Sequence, residues 1–588
     1  MNKEQRTINN EQRKIRITIL VICSLVICCS EMPDPLPPPA AQKYKVTVMS
    51  DGAFSFSDGG LYLPGESVNI DAGTRDGYVF TGWTSASAGV YFVNAGNKYA
   101  AFIMPANAVI VTANWSWDAG NIVCGYGNLP FVNAIVKEGR RPIPLSAVNG
   151  KSYDDLLFRE RTGSLYHVFN KNYQWRKDAW TRIGEIRKGN FTVIVKDASG
   201  NTVNGAAVNA VMYEHEFKWG TAINNNITIT NTTGNRYSAA VSLLFNTCVL
   251  ENHHKWNLYE TDPARTRLIF DTAKNLGIGN MRGHTLIWDS RNYLNVYAND
   301  NSIPRRVYDW FREDYENEPK TAGNKDKIMD AIQAHIQRIT GAHPVDGYGD
   351  QVYVWDAVNE LLYNRSLRDL YGGWPVVKQW LDWAREYAGS NTLLFVNETN
   401  LITKNWSQFP LIREYLDDLL EINCDFDGIG IQSHIGSSTP APHEFYEMMQ
   451  GFDKYGKLLE ITEFDMGAAI SEDRQYEGSF VRDIMIAAFS KENVNAFLMW
   501  GFWSSPNQPN KPVFHEDWTL KESGIQYIDL VYNKWWTKEN GITGEDGKYH
   551  LSGFFGDYDI TVTANGKTKT VEAQFYKNQN NTITVVME

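Results

Sequence analysis

Apolar and polar positions change rhythm along this chain, and each rhythm predicts a different kind of element. From 44 to 117 they alternate, as in Tyr44-Lys-Val-Thr-Val-Met49, Glu66-Ser-Val-Asn-Ile70, Tyr78-Val-Phe-Thr-Gly-Trp83 and Val109-Ile-Val-Thr-Ala-Asn-Trp115. Successive side chains of a strand point to opposite faces, so this rhythm predicts half-buried strands. Asp51-Gly52, Asp58-Gly59-Gly60, Pro64-Gly65 and Asp76-Gly77 punctuate them as turns. Alternation returns in Phe191-Thr-Val-Ile-Val-Lys-Asp197 and Ala206-Ala-Val-Asn-Ala-Val211, whose intervening Ser199-Gly200-Asn201 predicts a hairpin. It returns again in Tyr558–Thr563, Lys569–Ala573 and Thr582–Val586. Neither set buries two faces alone, so the two are predicted to pack together as one small sandwich beside the main domain.

Between 214 and 536 short apolar runs alternate with amphipathic helical stretches. The runs are Phe217–Ile223, Phe245–Asn252, Gly279–Trp288, Val352–Glu360, Thr392–Glu398, Asp427–His434, Leu458–Asp465 and Ala496–Trp503. Ile328, Ala331, Ile332 and His335 share one side of a helical period. Buried strands with intervening helices in this number predict the α/β class and a (β/α)8 TIM barrel, with small all-β accessory domains on its N- and C-terminal sides. A doubly wound open sheet competes, but no Gly-rich phosphate turn follows an early strand.

Composition narrows the function classes. The chain has 588 residues, with 56 Lys plus Arg against 68 Asp plus Glu and a net charge of −12. That balance repels a phosphate backbone, so nucleic acid is not expected as a partner. Phe, Trp and Tyr make up 13% of the chain, a supply of planar apolar faces suited to stacking on sugar rings. Of the six cysteines, Cys23, Cys28 and Cys29 fall in one N-terminal run; Cys124, Cys248 and Cys424 allow at most one internal bridge.

Lys14 and Arg16 precede an apolar run from Ile17 to Cys29 that is shorter than the roughly 20 residues a bilayer-spanning helix needs, which predicts a signal peptide over 1–29. Leu25-Val26-Ile27-Cys28-Cys29 resembles a bacterial lipobox, with Cys29 the expected acylation site and Cys28 the alternative. Prolines 33, 35, 37, 38 and 39 make 30–43 an extended tether. The expected location is the cell surface, as an outer-membrane-anchored lipoprotein. Gly82-Trp83-Thr84, Phe102-Ile-Met-Pro-Ala106 and Thr112-Ala-Asn-Trp115 resemble internalin-type B-repeat modules, which makes 44–117 a spacer rather than a ligand reader. Residues 118–185 are expected to connect it, with some helix, to strands at 186–213, a catalytic barrel at 214–536 and C-terminal strands at 537–588.

In a barrel of this kind the reactive side chains lie where strands end. Run four ends Trp355-Asp-Ala-Val-Asn359-Glu360 and run seven Ile461-Thr-Glu463-Phe-Asp465; Arg282-Gly-His284, Gln432-Ser-His434 and Trp500-Gly-Phe-Trp503 end others. Two glutamates facing each other across the mouth are what acetal cleavage requires, one protonated to release the leaving oxygen and one ionised at the oxocarbenium-like carbon.

With these motifs in order, joined by Phe245-Asn246, Glu251-Asn252-His-His-Lys255-Trp256, Trp288, Leu394-Phe-Val-Asn397 and Asp427-Gly-Ile-Gly-Ile-Gln-Ser-His434, residues 185–536 resemble glycoside hydrolase family 10. The flanking Ile186-Arg-Lys188 and Gly553–Tyr558 resemble the branch that includes plant enzymes. The resemblance implies an endo-1,4-β-xylanase that retains anomeric configuration, with Glu360 the general acid/base and Glu463 the nucleophile. It implies that Asn359 contacts the sugar 2-hydroxyl and that His434, oriented by Asp465, contacts Glu463. Glu251, Asn252, Lys255, His284 and Gln432 would bind glycone-side sugars, with Trp288, Trp500 and Trp503 as walls. Xylan or xylo-oligosaccharides are the implied ligands of a monomer, with no cofactor. Adjacent His253 and His254 would point opposite ways on a strand and lack a converging third ligand, so no catalytic metal is expected. Asp356 is equally explained as a tie between strand ends, and Asp417-Asp418 as a solvated helix face.

The chain also departs from the family pattern. Asp289-Ser-Arg-Asn follows Trp288 where many relatives carry histidine and glutamine, so an aspartate is expected to accept from a sugar hydroxyl. Asn397-Glu-Thr-Asn400 stands where relatives read Asn-Asp-Tyr-Asn, and Trp503 and Trp518 compete to close the last loop. A glucan-active β-1,4-glycanase and a non-catalytic glycan-binding lipoprotein are the competing functions.

Overall fold

The computed structural model describes residues 42–588 except 51–58, 74–77, 118–172, 290–301, 317–321, 344–345, 403–408, 436–439 and 467–473. The signal peptide, Cys29, most of the tether, Cys124 and residues 118–172 of the expected connector lie outside the described residues.

Each of the eight apolar runs overlaps one strand of a parallel sheet, with the seventh strand ending one residue beyond its run and the eighth starting two residues before its own. They are β1 (Lys218–Ile223), β2 (Thr247–Leu250), β3 (Asn280–Gly283), β4 (Val354–Asn359), β5 (Leu393–Glu398), β6 (Gly428–Ile431), β7 (Leu458–Met466) and β8 (Val494–Met499). Neighbours pair in chain order, and β8 returns to β1 with Ala496 opposite Lys218, so the sheet closes. The chain therefore folds as a (β/α)8 TIM barrel. Closure removes both sheet edges, and helices cover the outside, which is why β2, β4 and β6 are apolar or buried throughout instead of alternating.

The expected hairpin at 191–211 is not formed as a pair. Lys188–Lys196 lies in a three-stranded sheet between Lys548–Phe554 and Thr582–Val586, whereas Ala207–His215 lies in a four-stranded sheet between Lys538–Ile542 and Gly556–Ala564. At the turn Lys196 bridges Thr202 and the Val203 N–H donates to the Val195 carbonyl at 3.0 Å, but this closure stops short of Ala207–His215. Each strand alternates, and its inward residues meet C-terminal partners: Phe191 stacks on Phe575 with centroids 4.4 Å apart and meets Tyr558 edge-on at 5.5 Å. The predicted joint packing of the two sets is therefore the observed one, with pairing across the barrel domain winning over the local turn.

The end of the expected connector is a built part of the fold. Helix Tyr173–Ile186 buries Ala179 and Ile183, and Arg176 pairs with buried Asp483 at 2.9 Å. Arg187 then donates to the Phe489, Lys491 and Val494 carbonyls at 2.6–2.8 Å, tying the entry of the sandwich to the base of β8. The 44–117 block has its own core of Val46, Val68, Trp83, Phe102 and Val111, and contains two strands, Gly60–Tyr62 and Tyr99–Ile103, beyond the four read from alternation. Cys248 and Cys424 are buried free thiols. No helix among the described residues is long and apolar enough to cross a membrane.

Candidate active site

The C-terminal ends of β4, β5, β6 and β7 bring Asn359-Glu360, Asn397, Gln432 and Glu463 together. Glu360 follows the last residue of β4 with φ of 56°, the left-handed region that non-glycine residues rarely occupy. Its N–H donates to the Asn397 carbonyl at 2.9 Å, which holds the turn. Three side-chain donors reach its carboxylate: Gln432 Nε2 to Oε1 at 2.9 Å, Asn364 Nδ2 to Oε2 at 2.7 Å and Trp288 Nε1 to Oε2 at 3.3 Å.

Glu463 lies on β7 and is buried. Asn397 Nδ2 donates to its Oε1 at 2.7 Å and His434 Nε2 to its Oε2 at 3.1 Å. His434 Nδ1 donates in turn to Asp465 at 2.8 Å, and Lys511 Nζ donates to the second Asp465 oxygen at 3.3 Å. Burial alone would raise the Glu463 carboxyl, but the nearby His284 and the His434 and Asn397 donors outweigh it and hold the group at about 2. Burial likewise opposes charge on His434, and its two carboxylate partners override that and push it up to about 10. At neutral pH the pair is thus an imidazolium against a carboxylate.

One hydrogen-bonded chain links the two glutamates. Gln432 Nε2 reaches Asn359 Oδ1 at 3.4 Å as well as Glu360, and Asn397 Nδ2 reaches Asn359 Oδ1 at 2.8 Å as well as Glu463. Thr462 donates to Asn397 Oδ1 at 2.7 Å, which sets the orientation of that amide. Gly430 makes the room: a Cβ there would lie 2.2 Å from Asn397 Oδ1. With Oδ1 engaged, buried Asn359 Nδ2 has no protein acceptor among the described residues, leaving an N–H donor beside both carboxylates.

The walls follow. His284 donates to Asp356 at 2.8 Å, stands 3.9 Å from Glu463 Oε1 and meets Trp500 edge-on at 5.1 Å. Lys255 Nζ lies 4.8 Å from the Trp288 ring centroid and 6.0 Å from that of Trp500, and donates to Asn252 at 2.8 Å. Glu251 stands further along, accepting from Asn224 at 2.9 Å and Gln508 at 2.8 Å. Trp503 and Trp518 do not compete: they stack at 4.8 Å and 8°, with Trp518 buried behind the half-buried Trp503.

Some residues sit differently from expectation. Gln432, expected on glycone sugars, spends its amide on Glu360. Asp289, expected to meet a sugar hydroxyl, accepts the Leu367 N–H at 2.8 Å and so anchors the loop that follows Glu360; burial pushes it up to about 7. Glu398, at a departure from the family pattern, is buried and held near 8 by burial and by the charge of Glu360. His253 and His254 are buried side by side, with His254 ringed by Phe270, Tyr348 and Trp355. Asp356 does more than tie strands, since it accepts from both Arg282 and His284. Sequence reasoning did not assign Asn397, Asn364, Asn224 or Gln508 a role. Asn397 is the penultimate residue of β5 and carried the strand-end signal; the other three lie in loops without periodicity.

Comparison with known proteins adds the following. Residues 208–517 match the family model for glycosyl hydrolase family 10, and 44–119 that for the divergent InlB B-repeat domain. The chain is 28% identical over 404 residues to the anti-sigma-I factor RsgI6 of Acetivibrio thermocellus, covering 67% of this chain and 48% of that protein. It is 30% identical over 253 residues to a beta-1,4-xylanase of Dictyoglomus thermophilum, covering 40% of this chain and 60% of that one. The chain thus spans about half the length of the curated relatives it matches. The solved xylanase 10B from Thermotoga petrophila in complex with xylobiose is similar at a TM-score of 0.45 and 19% identity, over 54% of this chain and 94% of that one.

Proposed function

Because this chain belongs to glycosyl hydrolase family 10, we propose that it is an endo-1,4-β-xylanase that cleaves internal xylosidic bonds with retention of configuration. The observation that carries this reading is the Glu463 carboxylate, kept ionised by a charged His434 and aimed by Asn397 on the same amide network that holds Glu360. In the first step Glu463 attacks the anomeric carbon, the carbon–oxygen bond breaks, and Glu360 gives its proton to the departing sugar oxygen. In the second, Glu360 takes a proton from water, which attacks the same carbon and returns Glu463 as a carboxylate. The free Asn359 N–H supports this course, since a donor beside both carboxyls can bond the 2-hydroxyl and strengthen in the transition state. The name of the Dictyoglomus relative supports xylan as the substrate.

Two measurements test the reading. Reducing-sugar release is expected to be faster on xylan than on carboxymethyl-cellulose; the reverse order would make the chain a glucanase. Proton NMR during early turnover should show the β-anomer first. Early α-anomer would replace the nucleophile role of Glu463 with that of a base.

The run before Cys29 and the tether at 30–43 support a lipid-anchored location at the cell surface, with the B-repeat module as spacer. Cys29→Ala should move the protein out of the membrane fraction.

A further inference from the structure

Beyond Asn252 and Glu251 the groove opens into a recess of about 840 Å³, inside the span of about 300–1,000 Å³ usual for small-molecule sites. It lies between the loops after β1, β2 and β8. Contact runs to it without a break from the glutamates: Glu360 to Trp288, Trp288 to Lys255, Lys255 to Asn252. Glu251 forms the threshold, accepting from Asn224 on one oxygen and from Gln508 on the other, and so fastens the β8 loop to the β1 loop.

The lining has an unusual chemistry. Among the described residues no Trp, Tyr or Phe lines it, so a sugar ring would find no large stacking face. Carboxamides dominate instead, among them Asn225, Asn226 and Asn507, whose side chains make no hydrogen bond to the protein among the described residues. Each carboxamide offers an acceptor and two donors side by side, the complement of neighbouring hydroxyls on a ring. Charge disfavours an acidic sugar there. Glu251 and Asp262 line it together with the single guanidinium of Arg265, and burial lowers the basicity of His253. The recess is therefore net negative, and a uronate would enter it against that charge.

We infer that this recess binds a neutral sugar of the substrate through its free carboxamides, and that the chain grips its glycone side by hydrogen bonding at a point where stacking is absent. The inference rests on the xylanase reading above. The sugar has two possible sources, the next unit of the backbone or a neutral pentose branch.

The test uses the full-length protein with Glu463→Ala, which keeps ligands intact, with and without Asn225→Ala plus Asn507→Ala. Both asparagines are exposed, and an unchanged melting temperature checks the fold. Calorimetry is run with xylobiose, linear xylohexaose, and xylo-oligosaccharides carrying either arabinose or glucuronate branches. The double change should weaken a long or arabinose-bearing ligand by about 5–30-fold, as expected for one or two lost hydrogen bonds, and leave xylobiose within twofold. Loss on linear xylohexaose identifies a backbone unit, and loss confined to the arabinose-bearing ligand identifies a branch. Equal loss on every ligand, no loss on any, or loss confined to the glucuronate ligand would overturn the inference. If no xylo-oligosaccharide binds even the parent, the xylanase reading has failed. The same length series with cello-oligosaccharides then decides the recess on the same criteria.

Discussion

The barrel contains two clusters of buried charge, and they are built to opposite ends. Deep between β3, β4 and β7, Arg282 pairs with Asp356 and Glu460, and Tyr353 donates to Glu460 at 3.2 Å. One guanidinium serves both acids there, and the three side chains are 0–1% exposed. At the mouth, Glu463, His434 and Asp465 also pair, but His434 is 36% exposed and the nearby Asn359 N–H is unspent. His284 touches both clusters, donating to Asp356 and standing beside Glu463. The inner cluster turns its charged groups on one another out of reach of the groove and serves as scaffold, although Glu460 Oε1 has no partner among the described residues, whereas the mouth holds a free donor where a ligand can reach it. Removing a residue from either place therefore costs something different.

The largest separation should come from Glu463→Ala. It should lower kcat on xylan by at least about 10⁴-fold while thermal unfolding still reports a cooperative fold; activity within tenfold of the parent would merge the two clusters into one structural class. Next, Glu360→Ala should cost about 10²–10⁴-fold on xylan and much less on an aryl xyloside with a good leaving group, which needs no proton. Equal losses on both would remove the acid role. Arg282→Met reverses the readout: it strands Asp356 and Glu460, and should cost about 3–5 kcal/mol in urea denaturation. Among molecules that remain folded, its kcat should fall far less than that of Glu463→Ala.

The smallest effect is one of pH. Glu463 is depressed in the folded state, so its contribution to stability is present above about 4.5 and is lost as pH falls towards 2. His434 is raised, so its contribution is complete below about 6.5 and is lost as pH rises through 10. In His434→Gln the acid limb of kcat/KM should move to higher pH, because Glu463 loses its cationic partner. The fall in urea midpoint between pH 6 and pH 9 should also shrink. An unmoved acid limb would show that Asn397 and His284 suffice to hold the carboxylate.

The eight barrel strands were legible because a strand buried on both faces is apolar almost throughout, and the glutamates because acids at strand ends are conspicuous against such runs. Pairing partners were not legible at 191–211: a turn sequence reports local reversal, while Phe191 finds its stacking partner in Phe575. At the site, Gln432 and Asp289 stood where expected but face protein instead of open groove, since identity and position do not specify which neighbour an amide or carboxylate meets. Gln508 and Asn224 belong to loops, where no periodicity marks a residue.

The split sandwich bears on biosynthesis. Lys188–Lys196 and Ala207–His215 leave the ribosome before the barrel, yet the strands that flank them are translated only after it. Throughout barrel synthesis these two segments present unpaired backbone, a template for unwanted association. A nascent chain stalled short of 548 would hold a finished barrel on an unfinished base, so premature termination there should yield aggregates and not a smaller enzyme.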